Sequence, residues 1–333
     1  PRPKRTKVMT IPVDQSATAQ DARAAAEQFR DAYDRIQQQV CRAMVGQADV
    51  VEGVLSAMVA GGHVLLEGVP GLAKTLTVRP LCDAIDAQFA RVQFTPDLLP
   101  SDITGTEIYR VQDGSFEFQK GPIFHNLILA DEINRTSPKT QSALFEAMEE
   151  GQVTVDGKTR PLPRPFMVVA TQNPFDFHGT FPLPDSQLDR FMMRVSMGYP
   201  DRDAERIVIR QGSQRQMPET VIDSDEVLDL GATVEKIAVP KDVEEYLLDL
   251  IRLTREDPRL LRGVSTRGGQ ALFRAVRAYA VVAGRDFAIP EDVRRLAVPV
   301  LGHRVLPRTG GGPAGEGGPV AIAAMLDNLP SPV

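Results

Sequence analysis

One stretch constrains this chain more than any other: His63-Val64-Leu65-Leu66-Glu67-Gly68-Val69-Pro70-Gly71-Leu72-Ala73-Lys74-Thr75. A short apolar run enters a Gly-rich turn and leaves through Lys-Thr. That order reads as a strand, a phosphate-binding loop and the first turn of a helix. The spacing is G-x-x-x-x-G-K-[ST], except that Ala73 stands at the second Gly position. Backbone N–H groups must close around a phosphate chain there, so bulky side chains are excluded and Gly supplies the tight turn. The helix that follows offers unpaired N–H groups and the positive end of its dipole to the same anion. In this pattern Lys74 reaches the β- and γ-phosphates and Thr75 holds Mg2+. A methyl group at Ala73 costs little where the backbone already has right-handed helical angles. The plain alternative is a strand-to-helix turn that happens to carry Gly and Lys.

The rest of the 333 residues narrows the class. The length allows two or more domains. Hydrophobic residues are 42% and charged residues 25%, so an ordinary globular core is within reach. A formal net charge of −6 weighs against nucleic acid as the partner, although a local basic stripe stays open. Cys41 and Cys82 form no C-x-x-C pair and read as buried free thiols, which leaves no disulfide framework and suits the cytoplasm. No apolar run nears the ~20 residues that a membrane span needs. His63, His125, His178 and His303 lie far apart without metal-ligand spacing and read as structural. Pro1 as the first residue leads us to expect an initiator segment upstream.

Residues 1–20 start basic (Arg2, Lys4, Arg5, Lys7), lack periodicity and are expected to be a disordered, solvated tail rather than an anchor on an anionic surface. Phe29, Tyr33, Ile36 and Val40 make a helical stripe; Gly46 breaks it, and Val50, Val54, Leu55 and Met58 begin a second helix that ends at Gly61-Gly62. The helix after the phosphate loop is predicted from Ala73 to about Ala87, bent or shortened by Pro80. Arg91–Phe94 reads as a strand. Residues 107–111 and 115–119 read as a hairpin around Gln112-Asp113-Gly114, and Val153–Arg160 as another around Asp156-Gly157. Asn126–Ala130 suits a strand buried on both faces, ending at Asp131-Glu132, where open α/β sheets place their ligands. Ser137-Pro138 starts a helix with Leu144, Ala147 and Met148 on its apolar face. Phe166–Ala170, leading to Asn173, and Phe191–Met197 are further strands. Alternating strands and helices predict an α/β fold, a parallel sheet sandwiched by helices. From Asp201 onward the pattern turns helical, with Val243–Thr254, Gln270–Ala283 and a helix opened by Pro290. We therefore expect a tail over 1–20, an α/β core over 21–200 and a smaller all-α domain over 201–333. A flexible Gly-rich loop is expected near 310–318, and a short docking helix over Val320–Leu326.

Four elements now stand in order, and together they resemble an AAA+ ATPase. In detail they resemble the MoxR family: Gly68-Val-Pro-Gly-Leu-Ala-Lys-Thr75, Asp131-Glu-Ile-Asn-Arg135, Lys139-Thr-Gln141, Glu146-Ala-Met-Glu-Glu150, Ala170-Thr-Gln-Asn-Pro174, Pro182-Leu-Pro184 and Gln187-Leu-Asp-Arg-Phe191. The likeness spans about 30–308, and Ala73 agrees with it. It implies that Gly68, Val69, Pro70, Gly71, Leu72, Ala73, Lys74, Thr75 and Leu76 bind ATP, with Val45, Gly46 and Gln47 beside the adenine. It further implies that Asp131 and Thr75 hold Mg2+ and that Glu132 orients the attacking water. Asn173 would act as sensor 1, Arg190 as an arginine finger on the neighbouring subunit's nucleotide, and Arg267 as sensor 2 on a helical lid. The two hairpins would face the pore of a hexameric ring that remodels a protein client, often a von Willebrand factor A-domain protein.

Other readings stay open beside these. Asp131-Glu132 could cap the following helix, and Asn173-Pro174 could be a plain turn. Arg190 could form an internal ion pair, with Arg194 and Arg135 as rivals for the role in trans. Arg267 begins a helix, where the dipole disfavours a cation and so asks for an anionic partner. His178 stands where the family usually has an acidic residue. At the level of function, a magnesium-chelatase-like motor subunit, a helicase-type nucleic-acid motor and an ATP-gated scaffold are the rivals.

Overall fold

The computed structural model describes residues 19–68, 75–172, 179–211, 217–308 and 317–332. The expected tail (apart from its last residues), most of the phosphate loop, Asn173, His178 and nearly all of the Gly-rich loop lie outside them.

Helix α1 (Ala19–Ala43) buries Phe29, Tyr33, Ile36 and Val40, the stripe read from their spacing. Gly46, at φ +77°, makes the left-handed turn into α2 (Ala48–Val59). Strand β1 (Val64–Gly68) precedes α3 (Thr75–Ala84). Pro80 lies inside α3, and the helix stops short of the predicted Ala87. Asp86 adopts φ +45°, and the Ala87 N–H turns back to the Cys82 carbonyl at 3.0 Å, which closes the helix end. Next come β2 (Phe89–Gln93), α4 (Pro100–Thr104) and the antiparallel hairpin of β3 (Gly105–Arg110) and β4 (Ser115–Lys120). Strand β5 (Leu127–Asp131) leads to α5 (Pro138–Glu150), which is capped by Ser137 as expected. The second hairpin, β6 (Gln152–Val155) and β7 (Lys158–Pro161), turns through Asp156 and Gly157, both at positive φ. Then follow β8 (Met167–Gln172), the short α6 (Asp185–Leu188) and β9 (Met193–Met197).

The main sheet is fully parallel, in the order β2-β5-β8-β1-β9. Its central strands are buried on both faces, and the alternation can be followed residue by residue. Val64, Leu66, Leu127, Leu129, Met167 and Val169 enter the apolar cluster on the α1–α3 side. Leu65, Ile128, Ala130, Val168 and Ala170 enter the cluster on the α5 side. A period of two with both sets apolar is why these strands read as continuous hydrophobic runs.

The remainder is mainly helical: α7 (Arg202–Gln211), α8 (Ser224–Lys236), α9 (Lys241–Glu256), α10 (Thr266–Val282), α11 (Pro290–Leu301) and α12 (Gly317–Asn328). A small antiparallel pair, β10 (Leu260–Arg262) with β11 (Leu306–Pro307), is an addition to the expected helices. Helices α8 to α12 share one continuous apolar cluster with α1 and α2. Arg295 of α11 adds an ion pair to Glu52 of α2 at 2.6 Å.

Candidate active site

At the carboxyl edge of the sheet, Gly68 closes β1 against β9. A Cβ at Gly68 would lie 2.6 Å from the Met197 carbonyl oxygen, so only glycine fits where the chain enters the phosphate loop. Val69, Pro70, Gly71, Leu72, Ala73 and Lys74 lie outside the described residues, while Thr75 and Leu76 begin α3. Val45, Gly46 and Gln47 form the turn before α2. Gln47 Nε2 donates to the Gly198 carbonyl at 2.9 Å, and Gly46 sits against Pro200 and Ala204. The predicted adenine-side segment is thereby joined to the exit of β9 and the start of α7.

Asp131 ends β5 on the same edge and is buried. Its Oδ1 accepts from the Thr171 hydroxyl at 2.6 Å and its Oδ2 from Arg91 at 2.6 Å. Glu132 takes the left-handed conformation (φ +56°, ψ 48°), costly for a residue with a Cβ. The turn is held because the Glu132 N–H donates to the Thr171 hydroxyl at 2.9 Å. One hydroxyl therefore donates to one member of the acidic pair and accepts from the other. The Glu132 carboxylate accepts from Gln93 Nε2 at 2.9 Å and meets Arg135 at 3.2 Å. It makes no capping bond to the short turn that follows, so the capping alternative finds no support here. Thr171, Arg91 and Gln93 were given no role from the sequence; the only signal was that Arg91 and Gln93 lie on a predicted strand and Thr171 just past the end of another.

Arg190 and Arg267 converge elsewhere. Arg190 Nε and Nη2 each lie 2.8 Å from Glu149 Oε2, and Arg267 pairs with Glu149 Oε1. These two guanidinium groups hold the Glu149 carboxyl below the usual carboxylate range, Arg267 contributing most. Glu149, inside the Glu146–Glu150 motif, is thus the anionic partner that the position of Arg267 called for. A cleft of about 240 Å³ beside them is lined by Gly61, Gly62, His63, Met192 and Arg274. Gly62 and His63 precede β1, so this cleft opens at the amino edge of the sheet. Asp131 and Glu132 lie at the carboxyl edge, roughly 13 Å away along a five-residue strand at ~3.3 Å per residue. The pair with Glu149 is the internal ion pair left open for Arg190, and the rival arginines are paired as well, Arg194 with Glu67 at 2.6 Å and Arg135 with Glu132. Asn173 lies outside the described residues.

The histidines have structural partners where described. His63 Nδ1 accepts from the Val168 N–H at 3.0 Å and its Nε2 lies 3.1 Å from the Met148 carbonyl. Burial, aided by the nearby Arg274 cation, pushes the His63 pKa down to about 4. Among the described residues no helix is long and apolar enough to cross a membrane.

Residues 63–193 match the ATPase family associated with various cellular activities (AAA), and residues 252–318 match an AAA lid domain. Protein YeaC of Bacillus subtilis is 49% identical over 268 residues, 80% of this chain and 84% of that protein. Chaperone MoxR1 of Mycobacterium tuberculosis is 40% identical over 278 residues, 80% of this chain and 74% of its own length. The crystal structure of a Cytophaga hutchinsonii protein assigned as an ATPase superposes with a TM-score of 0.86 at 37% identity, covering 94% of this chain and 99% of that one. With a parallel P-loop sheet, an acidic pair at its carboxyl edge and a helical lid, this chain belongs to the MoxR family of AAA+ ATPases.

Proposed function

We propose that this ATPase hydrolyses Mg-ATP at sites shared between neighbouring subunits of a hexameric ring and uses the turnover for chaperone-like remodelling of a partner protein. The observation that carries the shared site is the separation of charges. Asp131 and Glu132 occupy one edge of the sheet, while Arg190 and Arg267 occupy the other, too far to reach the same subunit's nucleotide. A closed ring that stacks one edge against the next subunit's other edge brings both sets to one γ-phosphate.

In this reading Gly68 to Leu76, with Lys74, cradle the phosphates, and Val45, Gly46 and Gln47 flank the adenine. By residue type, the hydroxyl of Thr75 and the carboxylate of Asp131 would supply oxygen donors of the kind Mg2+ takes, and Asp131 is oriented by Thr171 and Arg91. When bound, the ion neutralises charge on the β- and γ-phosphates. Glu132 accepts a proton from the attacking water once Gln93 and Arg135 release it, and Asn173 senses the γ-phosphate. Arg190 and Arg267 leave Glu149 for the neighbour's phosphate. Residues 21–200 form the ATPase core and 201–333 the lid.

The client side rests on the hairpins. Ile108, Tyr109, Val111 and Phe116 are exposed on the first, and the Tyr109 and Phe116 rings lie 5.2 Å apart. Glu107 joins that hairpin to Lys158 and Arg160 of the second at 2.9 and 3.1 Å. An apolar tip braced by ion pairs suits an unfolded or partly folded segment, and a von Willebrand factor A-domain protein is the client class we favour. The chaperone name of the mycobacterial relative supports the same reading.

The test is ATP hydrolysis per subunit against protein concentration. We expect a steep rise that Arg190→Ala lowers about 10³-fold, as for other arginine fingers, without loss of ATP binding. A flat rate indifferent to Arg190 would leave a monomeric nucleotide switch instead.

A further inference from the structure

Arg304 follows α11 and is among the least exposed charges of the described residues, at 4%. Burial lowers its pKa, and Asp189 opposes that shift. A buried guanidinium is tolerable only when its donors are satisfied. Its Nε donates to Asp189 Oδ1 at 2.7 Å. Its Nη2 donates to the carbonyls of Asp189 at 3.0 Å and Phe191 at 2.7 Å. Its Nη1 donates to the Met192 carbonyl at 3.1 Å and to that of Val300. The carbonyls of residues 189 and 191 are the ones on either side of Arg190. The remaining Asp189 oxygen, Oδ2, accepts from Ser265 at 3.0 Å, and Ser265 caps α10, the helix that carries Arg267.

Side chain and backbone of Arg190 are thus held by different means. The side chain lies on Glu149 near the surface and must leave it to reach a neighbour. The backbone is gripped from below by a buried fork. We propose that Arg304 is the positioning residue for Arg190: by clamping the 189–192 backbone to the lid, it fixes where the finger is presented to the next subunit's terminal phosphate, and through Asp189 and Ser265 it sets the start of α10 and Arg267 with it. The proposal rests on the shared-site reading above. Arg304 touches no nucleotide in this scheme; it acts through geometry, and a misplacement of about 1 Å in such a group costs on the order of 10²-fold in rate.

Arg304→Lys keeps the charge and discards the fork. The full chain carrying it should assemble, bind ATP with an unchanged Kd and show an unchanged KM, while kcat falls about 10- to 100-fold. The decisive measurement is mixing. Arg304→Lys subunits keep a sound nucleotide site and lack a well-placed finger; Glu132→Gln subunits have the converse. Equimolar rings of the two should hydrolyse ATP well above the sum of the separate variants, as should Arg190→Ala with Glu132→Gln. Damage to the subunit's own site or fold is not repaired by a neighbour. If Arg304→Lys does not fold, Asp189→Asn, which preserves volume and removes the charge the fork grips, carries the same test. Gain in the Arg190→Ala mixture with none in the Arg304→Lys or Asp189→Asn mixture overturns the positioning role. No gain even with Arg190→Ala overturns the shared site itself, and this proposal with it.

Discussion

The hydroxyl of Thr171 is the smallest group on which the acidic pair depends, and Thr171→Val removes it with almost no change of shape. Thr171 is 1% exposed. The substitution takes a 2.6 Å donor from the Asp131 carboxylate and a 2.9 Å acceptor from the Glu132 N–H. A hydrogen bond to a charged group contributes about 1.5–3 kcal/mol, and an orphaned buried N–H costs about 1–3 kcal/mol. The Arg91 contact still holds Asp131, and the valine methyl is well buried, so the net loss should be about 3 kcal/mol. Thr171→Ser keeps the hydroxyl and gives up one methyl, worth about 0.8 kcal/mol. Urea unfolding of the three proteins, followed by far-UV circular dichroism, separates these values. Turnover should separate them further. Without its anchor the left-handed Glu132 peptide can relax, and, if Glu132 orients the attacking water as proposed, kcat should fall at least about tenfold in Thr171→Val. In Thr171→Ser it should stay within about twofold of wild type. Equal stability and equal kcat for the valine and serine variants would refute the idea that this hydroxyl organises the pair.

Two further outcomes follow from buried groups. Below its ordinary value of 6.5 the unfolded His63 takes up a proton that the folded protein, with a pKa of about 4, refuses; stability is therefore present above 6.5 and lost as pH falls toward 4. The contribution amounts to about 2 kcal/mol between pH 7 and pH 5, and denaturation midpoints measured at both should draw together in His63→Gln. Gln141 is fully buried, and its Nε2 reaches the carbonyls of Ile133 at 3.1 Å and Thr136 at 3.3 Å, tying α5 to the turn after Glu132. Gln141→Leu should lower the Hill coefficient of ATP hydrolysis toward one, with ATP binding retained; an unaltered coefficient would count against α5 as the link between sites.

Much of the fold was legible because burial on two faces writes itself into sequence. The runs Leu127–Ala130 and Phe166–Ala170 are apolar at every position since alternate residues enter different cores. Turn chemistry placed both hairpins, and Ser137-Pro138 placed the start of α5. A shortened α3 was expected from Pro80, but the place of its end, at Ala84, was not readable, because it depends on Asp86 accepting a left-handed angle that nothing in its type demands. The acidic pair was legible from its place at the end of a buried strand. Its supports were not. Thr171 and Arg91 belong to strands that neighbour β5 only in the folded sheet, a relation set by topology rather than spacing. Glu149 and Asp189 stand inside the family motifs and Arg304 outside them, and the partners of all three emerge only when the lid is folded against the core. Ion pairs that join positions more than a hundred residues apart leave no local pattern to read.

That same topology explains how two distant edges can act together. Helix α5 begins six residues past Glu132 and ends at Glu149 and Glu150; at ~1.5 Å per residue its thirteen residues span roughly 20 Å, more than the depth of the sheet. Its first turn is bonded to the Glu132 turn through Gln141, and its last carries the carboxylate on which Arg190 and Arg267 rest. Its apolar face, with Leu144, Phe145, Ala147 and Met148 buried, leaves it little freedom to bend. On the shared-site proposal, a shift of the Glu132 turn would be passed along this helix to Glu149, and so to the two arginines that rest on it. In the proposed ring, this arrangement would let each site report its state without any contact between the nucleotides themselves, and it would deliver the report to the segment that Arg304 grips.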